Sequence, residues 1–255
     1  MSDQVSKAQA FHALHVRGKP LVLFNVWDPG SAKAVTEAGA KALATGSWSV
    51  AAAHGYADGE RIPLDIVLGN FARIVGASPL PVSVDIESGY GKTPEDVGRT
   101  VARTLEAGAI GCNLEDSFPE SGKLRPLAEQ VERIRHARQA AEAAKIPYFI
   151  NARTDVFFQG AAVPHDAALL ETALERARAY AAAGASGFFV PGLKDPELIA
   201  RLAKACPLPL NVMMTSGMPA LNILAEAGVA RVSHGPGPYL TAMRALTEAT
   251  RAAQN

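Results

Sequence analysis

Short apolar runs alternate with longer stretches of helical periodicity eight times along this chain, and no other feature narrows the choice of fold as far. The runs are LVLFNVWD (21–28), ALATGSW (42–48), PVSVDIE (81–87), GCNLED (111–116), YFINARTD (148–155), GFFVPG (187–192), LNVMMT (210–215) and ARVSHG (230–235). Each is short, and most follow a Gly or Pro, the pattern of parallel strands buried on both faces. Eight strands, each followed by a helix, predict an α/β fold, a single (β/α)8 TIM barrel. The length of 255 residues matches the ~250 residues typical of such a barrel. The competing architecture is an open doubly wound sheet. The count of eight and the lack of a G-x-G-x-x-G turn after the first strand disfavour it. One domain is therefore expected over residues 1–255, with 1–20 an N-terminal helical extension and 236–255 a C-terminal helix.

The connecting segments carry their own signals. Within 126–144, Leu127, Val131, Ile134, Ala137 and Ala141 follow three- and four-residue steps. Glu129, Glu132, Arg133 and Arg135 fall on the other face, as in an amphipathic helix. Ala-Gly-Ala recurs at 38–40, 107–109 and 183–185, where glycine suits the position that ends a helix. Thr93, Pro94 and Asp96 fit the cap, first and third positions of a helix start. Lys plus Arg and Asp plus Glu balance at 25 each, which argues against nucleic acid or an anionic membrane surface as partner. Two cysteines, Cys112 and Cys206, cannot build a disulfide framework. Cys112 is out of phase with Asn113 and Glu115 on its strand and is expected to be inert core. There is no signal-peptide pattern and no apolar run near ~18 residues, so a soluble cytoplasmic protein is expected.

Gly91-Lys92-Thr93 has the form of a phosphate-loop tail, but the first glycine of that loop would stand at position 86, where the chain has Ile86. The same segment opens with Asp85 and Glu87. In a (β/α)8 barrel the chemistry lies at the C-terminal strand ends. Those ends here read Trp27-Asp28, Trp48, Asp85/Glu87, Glu115-Asp116, Arg153/Asp155 and His234. Strand alternation places Asp85 with Glu87, Asn113 with Glu115, and Asn151 with Arg153 and Asp155. Carboxylates gathered at one mouth repel unless a positive charge sits between them. A hard divalent cation that takes oxygen ligands and keeps several waters is the economical solution: Mg2+, with Mn2+ accepted by the same donors. Arg153 then suits a substrate carboxylate, which its planar guanidinium grips in bidentate fashion. A small anionic 2-oxo or 2-hydroxy acid is expected, with the metal polarising the C2 oxygen and stabilising an enolate. Each residue also has a plainer reading. Asp-x-Glu is commonly a salt-bridged pair, Arg153 neutralises Glu115, Met213 and Met214 pack the barrel, and His12 and His54 lie on the surface.

Seven segments, NVWDPGSAKAVTEAGAKALATGSWSVA, GYADG, VDIESGYG, GCNLEDS, INARTD, FFVPGL and PLNVMMTSG, run in order over nearly the whole chain. Together they resemble the isocitrate lyase/phosphoenolpyruvate mutase superfamily. The resemblance implies a (β/α)8 barrel that binds Mg2+ or Mn2+ and cleaves or forms C–C or P–C bonds of small oxo or hydroxy acids. It implies Asp85 as direct metal ligand, with Asp58, Glu87 and Glu115 reaching the metal through water. It places Gly46, Ser47 and Trp48 where backbone N–H groups hold the substrate carboxylate, and makes Arg153 the substrate-anion arginine. Trp27 and Asn211 complete the expected substrate-binding set, and Trp48 stands where relatives have a small residue. The expected catalytic set is Asp58, Arg153 and His234, with Ser121 and Tyr239 as further proton-donor candidates.

The loop after the fourth strand departs from the pattern. Lyases of this family carry Lys-Lys/Arg-Cys-Gly-His there, and phosphonate mutases a Lys and an Asn. This chain has DSFPESGKLRP (116–126), with no Cys, His or Asn and only a displaced Lys123. The expectation is a Mg2+-dependent lyase or decarboxylase that cleaves a C–C bond of an oxaloacetate-like 2-oxo or 2-hydroxy dicarboxylic acid. The alternatives are a phosphonopyruvate- or carboxyphosphonate-type P–C enzyme and a non-catalytic metal-and-carboxylate-binding barrel. A homo-oligomer, dimer or tetramer, is implied by relatives that exchange the helix after the eighth strand.

Overall fold

The computed structural model describes residues 2–160 and 165–254. Its strands are β1 Leu21–Leu23, β2 Leu43–Ala44, β3 Val82–Asp85, β4 Gly111–Glu115, β5 Phe149–Arg153, β6 Gly187–Val190, β7 Leu210–Met213 and β8 Arg231–Ser233. The helices begin with α1 Ser2–Ala13, α2 Pro29–Glu37, α3 Ser47–Ala53, α4 Leu64–Gly76 and α5 Pro94–Glu106. They continue with α6 Leu127–Ala143, α7 Ala167–Ala182, α8 Pro196–Ala205, α9 Leu221–Glu226 and α10 Gly237–Gln254. All eight strands lie inside the runs predicted for them and pair in parallel, in the order β1-β8-β7-β6-β5-β4-β3-β2. A parallel bridge between Val26 and Thr45 crosses the remaining seam between β1 and β2, with the Val26 N–H donating to the Ala44 carbonyl at 2.9 Å. The fold is a (β/α)8 barrel.

The double burial that the composition predicts is present. Val84, Cys112, Leu114, Ile150, Ala152, Phe188, Val190, Val212 and Val232 are fully or almost fully buried. Burial also pushes the Cys112 thiol up to about 12, so it is inert core as expected. The predicted cap is realised on α5. Thr93 accepts from the Asp96 N–H, and the Asp96 carboxylate accepts from the Thr93 N–H. The glycines of the three Ala-Gly-Ala segments, at φ 89°, 93° and 101°, follow α2, α5 and α7. A side chain there would be strained.

Strand register sets the barrel interior. Asp85 pairs with Asn113, Asn113 with Asn151, Glu115 with Arg153, Arg153 with Phe189, Phe189 with Asn211, and Asn211 with Arg231. At the N-terminal end α1 plugs the barrel. Phe11 meets the Phe149 ring edge-on at 5.3 Å, and His15 stacks on it at 4.0 Å. Above that apolar plug lies a polar layer. Asn151 donates to Asn113 at 2.9 Å. The fully buried Arg231 donates to Ser233 Oγ at 3.1 Å and to Asn113 Oδ1 at 3.3 Å. Its Nη1 has no partner among the described residues. Arg231 was not singled out from the sequence; the available signal was a cation in phase with Ser233 on the last strand.

One helix departs from the pattern of a barrel wrapped by its own helices. Only Pro238 of α10 is buried, and Leu240 and Leu246 stand 49% and 62% exposed. The outer face of β1 is correspondingly bare at Val22 and Phe24. There Leu14, Val22, Phe24 and Val35 line an open groove of about 450 Å3, flanked by Lys19 and Lys41. No helix among the described residues is long and apolar enough to cross a membrane.

Candidate active site

At the C-terminal mouth of the barrel lies a cavity of about 180 Å3. Six of the predicted site residues line it: Gly46, Ser47, Trp48, Asp58, Asp85 and Arg153. Asn25, Asn113, Phe189, Met213 and Ser233 line it as well. These were not named as site residues, although Asn113 was assigned to the inward face.

Asp85 ends β3. Its Oδ2 accepts from the Ser47 N–H at 3.3 Å and its Oδ1 from the Glu87 N–H at 3.1 Å, while its own N–H donates to Thr45 Oγ1 at 2.9 Å. Asp85 and Glu87 were expected to share a face by simple alternation. The strand stops at Asp85, however, and Glu87 takes φ 50°, so period-two reasoning no longer applies. The Glu87 carboxylate is buried and points toward the loop between α3 and α4. It accepts from the Gly59 and Glu60 N–H groups at 2.8 and 2.7 Å and from the Tyr90 hydroxyl at 3.2 Å. Glu115, which ends β4, binds Arg153 Nη1 at 2.8 Å through Oε2, and its Oε1 accepts from the Ser117 hydroxyl at 3.0 Å.

Arg153 lies between two carboxylates. Its Nε and Nη2 donate to Asp155 at 2.6 and 3.1 Å, and Nη1 faces Glu115. Burial alone would lower its pKa, but Glu115 and Asp155 outweigh burial and hold it above its ordinary value. Three bonds leave two of the five guanidinium N–H groups for a ligand. Asp155 is in turn fixed from below by Asp116. That fully buried carboxylate accepts from the Asp155 N–H at 2.9 Å, Thr154 Oγ1 at 2.6 Å, Tyr180 OH at 2.7 Å and Arg176 Nη1 at 3.0 Å. The strand-end pattern flagged Asp116 without separating this supporting role from its neighbours.

Burial raises these carboxyls, and neighbouring carboxylates add to the rise. Burial, then Asp58 and Asp85, push the Glu87 carboxyl up to about 8. Burial pushes Glu115 to about 8 against the pull of Arg153, with Asp155 and Asp85 adding to the rise. Asp58, open to solvent on one side, is raised first by desolvation and then by Asp85. Asp85 adds to the rise of all three, after burial in each case.

Five predicted residues lie outside the cavity lining: Glu87 and Glu115, whose contacts are given above, and His234, Trp27 and Asn211. His234 sits beside the cavity with its ring 5.0 Å from that of Phe24. Strand parity explains this, since Ser233 takes the inward position. Its backbone N–H is still used, donating to Asn25 Oδ1 at 2.9 Å. Trp27 packs edge-on against Tyr239 at 5.2 Å. Asn211 is buried below the cavity floor and donates to Ser233 Oγ at 3.2 Å. The loop after β4 is a short hairpin closed by a Ser117–Leu124 bridge. Arg125 lies over the Phe118 ring at 4.1 Å.

The family model for phosphoenolpyruvate phosphomutase matches residues 11–254. The chain belongs to this family. A solved structure from Burkholderia cenocepacia J2315, provisionally named a phosphonomutase, is 57% identical, with TM-score 0.96 over 98% of this chain and 99% of that one. The 2-methylisocitrate lyase of Salmonella typhimurium is 32% identical over 96% of this chain and 82% of its own. The oxaloacetate decarboxylase of Pseudomonas savastanoi pv. phaseolicola is 30% identical over 95% and 83%. A phosphonopyruvate hydrolase solved with oxalate and Mg2+ is 25% identical, with TM-score 0.80 over 96% and 84%. Members of the phosphomutase family thus cleave C–C or P–C bonds of small acids.

Proposed function

We propose that this chain is a Mg2+-dependent carbon–carbon lyase or decarboxylase of a small 2-oxo or 2-hydroxy dicarboxylic acid, Mn2+ fitting the same donors. The observation that carries the reading is that Asp85 and Arg153 face one small cavity beside the first turn of α3. Among the described residues no three Asp, Glu, His or Cys side chains converge as a direct ligand set. Mg2+ keeps several waters and needs only one or two carboxylates. Asp85 therefore fits as the direct ligand, with Asp58, Glu87 and Glu115 reached through water. Bound there, the cation supplies Lewis-acid stabilisation of the negative charge that develops on the substrate's C2 oxygen.

The chain's own residues do the rest. The free N–H groups of Arg153 orient the substrate carboxylate, and the backbone of Gly46, Ser47 and Trp48 forms the wall against which that group lies. Asp58, with its raised carboxyl, is the cavity's proton carrier. Among the described residues the lining contains no His or Cys, which leaves the Asp58 carboxylate as the candidate base for a retro-aldol cleavage and sets no such demand on loss of CO2 from a β-keto acid. Decarboxylation requires no base to take a hydroxyl proton in the bond-breaking step, whereas a retro-aldol cleavage does.

The test is a calorimetric titration of oxalate with Mg2+ and again with EDTA, followed by turnover of oxaloacetate, substituted malates and phosphonopyruvate. Metal-dependent binding that is lost in Asp85→Ala, together with turnover of a C–C substrate, is expected. Binding without any turnover would make the barrel a non-catalytic binder, and a phosphonate product seen by 31P NMR would replace the C–C reading. The bare outer face of β1 and the apolar stripe of α10 support a homo-oligomer in which α10 of one copy covers β1 of the next. An area-burying contact of this kind also removes an exposed apolar patch.

A further inference from the structure

The cavity has two chemically distinct sides. The arc formed by β2 to β5 contributes Asp85, Asn113, Arg153 and, from the start of α3 and the loop that follows it, Ser47 and Asp58. The arc formed by β6 to β8 contributes Phe189, Met213 and Pro236, with Ser233 at the floor. Phe189 is buried and pairs in register with Arg153, so it is the first side chain beyond the arginine. Met213 is packed down against the chain after β8; a Cβ added at Gly235 would lie 2.8 Å from its sulfur. At the mouth, Trp48 and Phe158 leave their rings 39% and 54% exposed. Arg153 is the sole cation among the described lining residues, and Glu115 and Asp155 already share it. Lys194, on the loop after β6, is exposed, donates to the Ser216 carbonyl at 2.8 Å, and does not line the cavity.

We infer that the substrate carries an apolar branch at C3, and that Phe189, Met213 and Pro236 select for it against a charged branch. This rests on the functional reading above. A carboxylate on such a branch would face a phenyl ring and a thioether. The cation beside them, Arg153, lies 5.9 Å from the Phe189 ring and is already engaged by Glu115, Asp155 and the substrate's own carboxylate, which makes the branch costly as a charge taken out of water. An alkyl group there gains instead from burial. The favoured substrate class is therefore a 3-alkyl-substituted 2-oxo or 2-hydroxy dicarboxylic acid rather than a tricarboxylic acid.

The test compares malate, 3-methylmalate, 3-ethylmalate and isocitrate as competitors of oxalate on the Mg2+-loaded protein. Isocitrate is malate with a carboxymethyl group at C3. Binding is expected to tighten about fourfold for each added alkyl carbon, with isocitrate at least about tenfold weaker than 3-ethylmalate. Met213→Lys, which sets a cation in the apolar arc, is expected to reverse the order of that last pair. Isocitrate binding as tightly as 3-ethylmalate in the unmodified protein overturns the inference. Failure of oxalate itself to bind with Mg2+ brings down the functional reading, and this inference with it.

Discussion

Truncating the buried carboxylate beneath Arg153, by Asp116→Ala, tests whether the site is held by its support or by its own contacts. The side chain is fully buried and accepts four hydrogen bonds, one of them from Arg176, whose side chain is 11% exposed. Breaking a buried ion pair from one side costs about 3–5 kcal/mol, mostly because the partner is left uncompensated. Arg176 keeps the Tyr180 hydroxyl and the Arg125 carbonyl, which places the expectation near the lower end, at about 3 kcal/mol. For a chain of this size each kcal/mol moves Tm by about 2–4 °C, so a fall of about 6–12 °C is expected in thermal melts at matched pH. Adding Arg176→Met removes the stranded charge and should recover part of the loss, a coupling that the double-mutant cycle measures directly. Because Asp155 loses the acceptor of its N–H, oxalate affinity should fall in the same variant. A melt within about 2 °C of the unmodified protein, with no coupling to Arg176→Met, would refute the reasoning.

Three further outcomes are expected. Glu87 and Glu115 are raised to about 8 by folding, so the metal-free native state binds more protons than the unfolded chain between pH ~4.5 and 8. Its stability should fall as pH rises through that window, and thermal melts with EDTA at pH 5.5, 7 and 8.5 check this. With Mg2+ the slope should flatten and protons should be released on binding. Arg153→Lys removes planar two-point recognition and should raise the oxalate Kd about tenfold to a hundredfold, as read by calorimetry. Deleting 237–255, or replacing Leu240 and Leu246 by Asp, should lower the oligomeric state seen by light scattering; an unchanged mass would exclude α10 as the contact.

Much of the barrel was legible because burial on both faces leaves a signature of short apolar runs, and helix ends leave one of capping residues. The strand-end acids were legible for a related reason, since a carboxylate that closes a doubly buried run has to stand where the barrel opens to solvent. The rest depended on where each strand stops. Glu87 departs from alternation because β3 ends two residues earlier, and His234 lies off the cavity because Ser233 takes the inward phase. Arg231 and Asn25 act through hydrogen bonds that cross the barrel, and Phe189 and Met213 matter through which strand stands opposite Asp85. None of these relations has a local spacing in the sequence.

Among the described residues the barrel closes between β1 and β2 through the single Val26–Thr45 bridge, and β2 itself is two residues long. Asn25 fastens this seam: its Nδ2 donates to the Thr45 carbonyl at 3.0 Å, and its Oδ1 accepts from the His234 and Gly235 N–H groups at 2.9 Å. With so few bonds to break, local opening of the ring begins there, and amide exchange should be fastest along this line among the strands. Gly46 and Asn25, which flank the seam, also line the cavity. The barrel is thus least rigid beside the proposed carboxylate wall, and a ligand seated across the seam would act as its missing rung.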